Sequence, residues 1–141
     1  MTYIEPFGGT MGLFKIVSKY YTPELVVYND IKVYDESMIL PDYDIKHNLD
    51  YVEVLDNYNY EDSFFYLDPP YIGKEKYYSN TFEDGISDHF RLFNELKKLK
   101  GKWLLSYQDP HLLREWYSDY NFDTYKGNSR YHLSEIIIKN Y

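Results

Sequence analysis

The sequence has 141 residues, a net charge of −8, 44% hydrophobic residues and no cysteine. Its length and apolar content suit one globular domain over residues 1–141 and exclude a disordered chain, and the lack of cysteine excludes disulfide scaffolds and zinc–thiolate sites. An acidic chain offers few Lys and Arg contacts to phosphate, so composition alone does not favour nucleic-acid binding.

The first elements predicted along the chain are a strand at residues 3–5, a glycine loop at residues 6–10 and a helix. The helix is predicted from apolar residues at helical spacing, Leu13, Ile16, Val17 and Tyr20. Gly8 and Gly9 would let a ligand approach the backbone, and helix-start N–H groups would face it, although paired glycines also form ordinary turns. A signal peptide would have an apolar core near the N-terminus, where this sequence has Glu5 and two glycines. No apolar run reaches the length of about 20 residues that a transmembrane helix needs. We therefore expect a cytoplasmic protein with no membrane partner.

The second strand is predicted at residues 24–30 and ends in the acid Asp30. A carboxylate at this distance from the glycine loop can bind ribose hydroxyls, but it can equally cap a helix. A short strand is predicted at residues 43–46, followed by a helix that starts near Asp50. Asp50 is either the N-cap of that helix or a ligand-binding acid.

The most informative stretch is residues 63–71. Residues 64–67 read as a strand buried on both faces, and Pro69 and Pro70 end it because they donate no backbone hydrogen bonds. Asp68 then lies at the carboxyl edge of a sheet, where α/β folds bind ligands. Asp68, the Pro69 carbonyl and the Tyr71 ring could hold a planar molecule with an amino group. The alternative is a plain turn after a strand.

The remaining elements alternate between helix and strand. An aromatic and locally basic loop at residues 72–82 either covers a substrate or is a surface loop. A helix is predicted at residues 88–100 with an apolar stripe formed by Phe90, Phe93, Leu96 and Leu99, and a second runs from Pro110 through Trp116. Strands are predicted at residues 103–107, 122–125 and 135–138. This order indicates an α/β fold with a mostly parallel, doubly wound sheet. The four histidines lack ligand spacing, so no metal site is predicted.

Taken in order, these motifs resemble those of the D12 class, or Dam-like, adenine-specific DNA methyltransferases. The resemblance rests on residues 3–10, 27–30, 49–51 and Asp68-Pro69-Pro70-Tyr71, and on residues 78–82, 104–107 and 135–141 further along the chain. It implies a Rossmann-like fold with an antiparallel strand near the C-terminus and S-adenosylmethionine as cofactor. It also implies methylation of the N6 amine of adenine in DNA.

The resemblance also implies roles for individual residues. The cofactor would be bound by Glu5, Pro6, Phe7, Gly8, Gly9, Asp30, Ile31, Asp50, Tyr51 and Asp68. Asp30 would hold the ribose, and Asp50 the amine of the cofactor's adenine. Asp68 and the Pro69 carbonyl, with Pro70, would hold the target amine, and Tyr71 would stack on the target base. DNA would be contacted by Tyr71, Lys74, Lys76, Tyr78 and Asn80.

Two segments of the family have no counterpart in this sequence, an upstream helix with a Lys/Gly motif and a DNA-recognition insert. Only residues 51–67 separate Asp50 from Asp68. The sequence therefore predicts a minimal enzyme, acting on single-stranded or duplex DNA, with a homodimer or protein partner supplying target recognition. A compact form would suit a phage or a restriction-modification setting. The alternative function is a non-catalytic protein of this fold that binds cofactor or a protein partner and whose acidic surface mimics DNA.

Overall fold

The computed structural model describes residues 1–32, 40–75, 82, 84–108, 111–126 and 134–141. Its helices are α1 (Phe14–Val17), α2 (Tyr51–Asn57), α3 (Ile86–Leu96) and α4 (His111–Trp116). Its strands are β1 (Thr2–Glu5), β2 (Leu25–Asn29), β3 (Ile45–His47), β4 (Ser63–Leu67), β5 (Lys102–Gln108), β6 (Asn121–Lys126) and β7 (Ser134–Lys139). None of the helices in this part of the chain has the length and apolar character needed to cross a bilayer.

The strands form one seven-stranded sheet in the order β3-β2-β1-β4-β5-β7-β6. Strands β1 to β5 pair in parallel with one another, whereas β7 runs antiparallel to both β5 and β6. The predicted α/β architecture, mostly parallel with an antiparallel strand near the C-terminus, is therefore confirmed.

Alternation along the central strands sends side chains into two separate cores. On one face, Ile4, Val27 and Phe65 join a large cluster that includes residues of α2, α3 and α4. On the other, Tyr3 and Tyr28 pack with a smaller cluster beside α1. Helices α2, α3 and α4 therefore pack on the face of the sheet that carries the larger core.

The chain reverses its direction of travel across the sheet at β1. It moves outward from β1 to β2 and β3, then returns to the other side of β1 with β4 and β5. Parallel strands end at a common edge, so Glu5, Asp30 and Asp68 follow or end neighbouring strands at this reversal. Such a switch point is where open α/β sheets leave a crevice for ligands.

Two predicted apolar stripes are wrong in detail. The first helix is a single short turn in which Phe14 is buried, while Ile16 and Tyr20 are 57% and 87% exposed. In α3 the buried residues are His89, Leu92 and Leu96. Phe90 instead packs against Trp116 of α4 at the surface, with ring centroids 5.1 Å apart. Aromatic residues can pack against other rings at the surface as well as in the core. A 3.6-residue spacing of apolar residues does not tell a surface ring contact from burial in the core.

Two strand predictions also need adjustment. Strand β3 covers Ile45–His47, later than the predicted residues 43–46, because Asp44 instead binds β2 through its carboxylate, 2.7 Å from the Val26 amide. In β4 the side chains of Phe64 and Tyr66 are only half-buried, because the short α1 covers that face of the sheet incompletely. Between Asp50 and Asp68 the chain forms only α2, a turn and β4.

Candidate functional site

A pocket of about 700 Å³ opens at the reversal point between β1 and β4. This volume is in the range of small-molecule sites. The pocket brings together every residue predicted to bind cofactor or catalyse, namely Glu5, Pro6, Phe7, Gly8, Gly9, Asp30, Ile31, Asp50, Tyr51, Asp68, Pro69, Pro70 and Tyr71. Of the residues predicted to contact DNA, Tyr71 lines the pocket and Lys74 is exposed on the turn that follows it. Lys76, Tyr78 and Asn80 lie outside the described residues.

The glycine loop is held against the end of β2. The Gly8 amide donates to the Asn29 carbonyl at 2.7 Å, and a Cβ added to Gly8 would lie only 2.4 Å from a carbon of the Tyr28 ring. Gly8 is therefore needed for close packing of the protein on itself. The Gly9 amide donates to the Asp30 carboxylate at 2.9 Å, and the Lys32 amide donates to its other oxygen. Burial nevertheless raises the pKa of Asp30.

Asn29 is a structural centre of the site that the sequence analysis missed. Its side-chain amide is buried and donates to the carbonyls of Pro6, at 2.9 Å, and Leu49, at 3.1 Å. Its side-chain oxygen accepts from the Leu49 amide at 2.9 Å. One side chain thus ties the glycine loop and the loop before α2 to the end of β2. Its position next to Asp30, at a strand end, was the available sequence signal.

The N-cap role of Asp50 is confirmed, whereas its role as a ligand-binding acid stays a prediction. Its carboxylate caps α2 by accepting from the Val52 amide at 2.9 Å, and it also lines the pocket. Arg91 of α3 donates to both carboxylate oxygens, at 3.1 and 3.3 Å. The Arg91 guanidinium carbon also lies 5.2 Å from the Tyr51 ring centroid. Arg91 therefore links α3 to the acid and to the aromatic wall of the pocket.

An aromatic wall completes this side of the pocket. The rings of Phe7 and Tyr51 are 5.1 Å apart between centroids, and Phe82 lies 5.8 Å from each of them. Phe82 and three residues around the start of α3, Asp84, Asp88 and Arg91, line the pocket but were not predicted to do so. Sequence offered little signal for them, because they join the site only through the packing of α3 on α2.

Asp68 follows β4 directly and opens to solvent at the pocket, while Pro69 and Pro70 behind it are buried. Although the carboxyl is accessible, the surrounding protein partly desolvates it, and this desolvation raises its pKa to about 6. The interaction with the Tyr71 hydroxyl opposes this rise in pKa, and the nearby charge of Glu135 adds to it. Asp68 is therefore a carboxylate whose charge changes close to neutral pH.

Glu5, at the end of β1, is a second acid with a perturbed pKa. Its side chain is buried and accepts a hydrogen bond from the Tyr3 hydroxyl at 2.7 Å. Burial raises the pKa of Glu5 to about 7, although the hydrogen bonds from Tyr3 and from the Phe14 amide act in the opposite direction. The buried carboxylate thus lies at the end of β1, where Glu5 lines the pocket.

This shift predicts a pH-dependent stability. Because the folded pKa of about 7 exceeds the ordinary glutamate pKa of 4.5, the contribution of Glu5 to stability is full below about pH 4.5 and is lost as pH rises through about 7. We expect the unfolding free energy of the wild type, minus that of Glu5→Gln, to fall by roughly 2–4 kcal/mol between pH 5 and 8. Urea unfolding at several pH values measures it, and a constant difference would contradict the shift.

The sheet order, the antiparallel β7 and a pocket at the reversal point are consistent with the fold of S-adenosylmethionine-dependent methyltransferases. Residues 34–133 match the family model for the D12 class N6 adenine-specific DNA methyltransferases. The match covers more than half of the chain, which therefore belongs to this family. The matched segment includes Asp50 and Asp68, whereas the glycine loop and Asp30 precede it. No curated protein matched the chain significantly.

Proposed function

We propose that this protein transfers a methyl group from S-adenosylmethionine to the exocyclic N6 amine of adenine in DNA. Membership of the D12 class supports the reaction. The observation that carries the proposal for this chain is the position of Asp68, which follows β4 in the same pocket as the glycine loop and Asp30. A pocket lined by several acids and by aromatic rings also suits a cofactor that carries two positive charges and an adenine ring.

When bound, S-adenosylmethionine supplies an electrophilic methyl group on a positively charged sulfur. Glu5, Pro6, Phe7, Gly8 and Gly9 line its binding site in our proposal. Asp30 holds the ribose hydroxyls through lone pairs that the Gly9 and Lys32 amides leave available, and Ile31 packs on the cofactor's adenine. Negative charge on Asp68 and Asp30 favours binding of a cation in this pocket.

Asp50 accepts a hydrogen bond from the amine of the cofactor's adenine, with Tyr51 beside the ring. Oδ1 of Asp50 already accepts from the Val52 amide and from Arg91, whereas Oδ2 accepts from Arg91 alone and can accept a second hydrogen bond. Arg91 therefore fixes the orientation of the acid without exhausting its capacity as an acceptor.

The target amine is a poor nucleophile because its lone pair is delocalised into the adenine ring. Asp68 and the Pro69 carbonyl accept hydrogen bonds from its two N–H groups, which draws the nitrogen towards tetrahedral geometry and localises the lone pair. As the nitrogen gained the methyl group from the sulfur, it would lose one proton to Asp68 or to water. Because the buried Pro69 and Pro70 fix the backbone of this segment, both acceptors are oriented before the substrate arrives. The Tyr71 hydroxyl lowers the pKa of Asp68, which favours the ionised carboxylate, and the Tyr71 ring stacks on the base.

In duplex DNA the adenine must leave the base stack to reach Asp68, at a cost of a few kcal/mol. Lys74, Lys76, Tyr78 and Asn80 contact the nucleic acid in this proposal.

The net charge of −8 and the short path between Asp50 and Asp68 favour single-stranded DNA, or a homodimer or protein partner that supplies recognition. The chain acts as one catalytic domain.

Methyl transfer to defined nucleic acids tests this function. The protein is incubated with labelled S-adenosylmethionine and separate pools of duplex DNA, single-stranded DNA and RNA, and methylated nucleosides are identified by mass spectrometry. We expect N6-methyladenine in a DNA pool. Product in RNA alone would overturn the assignment of DNA as substrate.

The acidic composition supports a second candidate, a non-catalytic protein of this fold that binds cofactor or a basic protein partner. A thermal shift separates the two candidates, because a ligand that binds only the native state raises the melting temperature. A melting temperature raised by S-adenosylmethionine, with no methylated product in any pool, would favour this candidate over the enzyme.

A further inference from the structure

A fully buried histidine lies behind the candidate catalytic segment and is not used in the proposed chemistry. His89, in α3, has a relative exposure of 0%. Its Nε2 is 3.0 Å from a carboxylate oxygen of Glu75, and its Nδ1 is 2.5 Å from the hydroxyl of Tyr107 in β5. The imidazole therefore bridges the loop after Tyr71 and the centre of the sheet.

The partners define the tautomer of His89. An ionised Glu75 can only accept, so Nε2 carries the hydrogen, and Nδ1 then accepts from the Tyr107 hydroxyl. Burial lowers the pKa of His89 and keeps the ring neutral. For Glu75, hydrogen bonds from backbone amides and from His89 outweigh burial and lower its pKa. In this arrangement the neutral imidazole donates one hydrogen bond from Nε2 and accepts one at Nδ1, so each nitrogen has a partner.

The same Glu75 oxygen also holds the turn that carries Tyr71. It accepts from the Gly73 amide at 2.9 Å, and the Lys74 amide donates to the Tyr71 carbonyl at 2.9 Å. Gly73 has a φ of +81°, a conformation that other residues rarely adopt. The turn after the Asp68–Tyr71 segment is therefore attached to α3 through one carboxylate and one imidazole.

Tyr107, the second hydrogen-bond partner of His89, also packs against the Asp68–Tyr71 segment. The Tyr107 ring lies 6.0 Å from the Tyr71 ring, between centroids. The Tyr71 hydroxyl in turn interacts with Asp68 and lowers the pKa of its carboxyl. The contacts form a closed circuit in which His89 supports Tyr71 through its backbone turn, by way of Glu75, and through its ring, by way of Tyr107.

We propose that His89 is a positioning residue for the Asp68–Tyr71 segment, acting through Glu75 and Tyr107. The proposal rests on the proposed function for its effect on methyl transfer, but its structural content does not. Loss of the imidazole frees the turn after Tyr71 and weakens the interaction of the Tyr71 hydroxyl with Asp68. The affinity for S-adenosylmethionine is unaffected, because the residues proposed to bind it outside this segment are left in place.

Steady-state kinetics on a small set of variants test the positioning role. We expect His89→Leu and Glu75→Ala each to lower kcat by about 10- to 100-fold, with the KM for S-adenosylmethionine changed less than about threefold. Glu75→Gln keeps an oxygen that can accept from His89 and Gly73, so it recovers most of the loss. Glu61→Ala, which removes an exposed carboxylate, is the matched control. Equal losses in Glu75→Gln and Glu75→Ala would overturn the proposal.

Two NMR measurements test the circuit without relying on catalysis. Nitrogen-15 shifts of the wild type should show the His89 hydrogen on Nε2. Carbon-13 titration should show the pKa of Asp68 rising from about 6 by roughly 0.5–1 unit in His89→Leu, because the interaction with the Tyr71 hydroxyl that lowers this pKa is weakened. Tyr107→Phe, which keeps the ring, replaces His89→Leu if that variant does not fold. An unchanged Asp68 pKa would overturn the positioning role even if the wild type transfers no methyl group.

Discussion

Replacement of Asp68 by Asn is expected to lower the rate of methyl transfer by roughly 10²–10³-fold, the usual cost of losing one preorganised polar group in an active site. The amide has nearly the same shape as the carboxylate, but it carries no charge and presents N–H groups to a target amine that needs acceptors. The dissociation constant for S-adenosylmethionine should change by less than about tenfold, since the other lining residues remain. Single-turnover methyl transfer and calorimetric titration measure the two effects.

Asp119→Asn is the matched control, because Asp119 is an exposed acid that does not line the pocket. It should retain wild-type activity. In the wild type, kcat/KM should rise with pH through about 6 as Asp68 loses its proton. That rise should be absent from the residual activity of Asp68→Asn. A variant with more than half of the wild-type rate would show that Asp68 does not hold the target amine.

Asn29→Asp is expected to destabilise the protein by roughly 2–5 kcal/mol, because a buried acceptor left facing other acceptors costs about 1–3 kcal/mol for each lost hydrogen bond. Asn29 donates to the carbonyls of Pro6 and Leu49, and a carboxylate can donate to neither. Both loops that reach the pocket should loosen together, so the affinity for S-adenosylmethionine should fall at least tenfold. Urea unfolding and calorimetric titration provide the two values.

Asn121→Asp provides the comparison for this substitution. Asn121 also donates to a carbonyl, that of Tyr141 at 2.9 Å, but it is exposed, and water can replace the partner. Its effect should be within about 0.5 kcal/mol. If Asn29→Asp were as mild as Asn121→Asp, the hydrogen bonds of Asn29 would not be what holds the two loops together.

Sequence alone determined the order of the elements and the strand-end acids that meet at the pocket. Short-range rules were sufficient for this. The apolar run before Asp68 and the two prolines after it place that acid at a strand end, and alternation with helices makes the sheet parallel. Strand ends of a parallel sheet share one edge, so Glu5, Asp30 and Asp68 had to lie near one another once the element order was right. Motif resemblance then led to the family that the comparison confirmed.

Tertiary structure decided which partner each of these side chains has. No spacing rule reveals that Arg91 reaches Asp50, or that Asn29 joins two loops, since each contact depends on how separate elements pack. The same holds for His89, which helical periodicity treats only as a residue on the face of Leu92. Its hydrogen bonds to Glu75 and Tyr107 arise because α3 lies between the loop after Tyr71 and β5. Local sequence fixes where a strand or helix ends, whereas buried polar groups must find their partners wherever packing brings them.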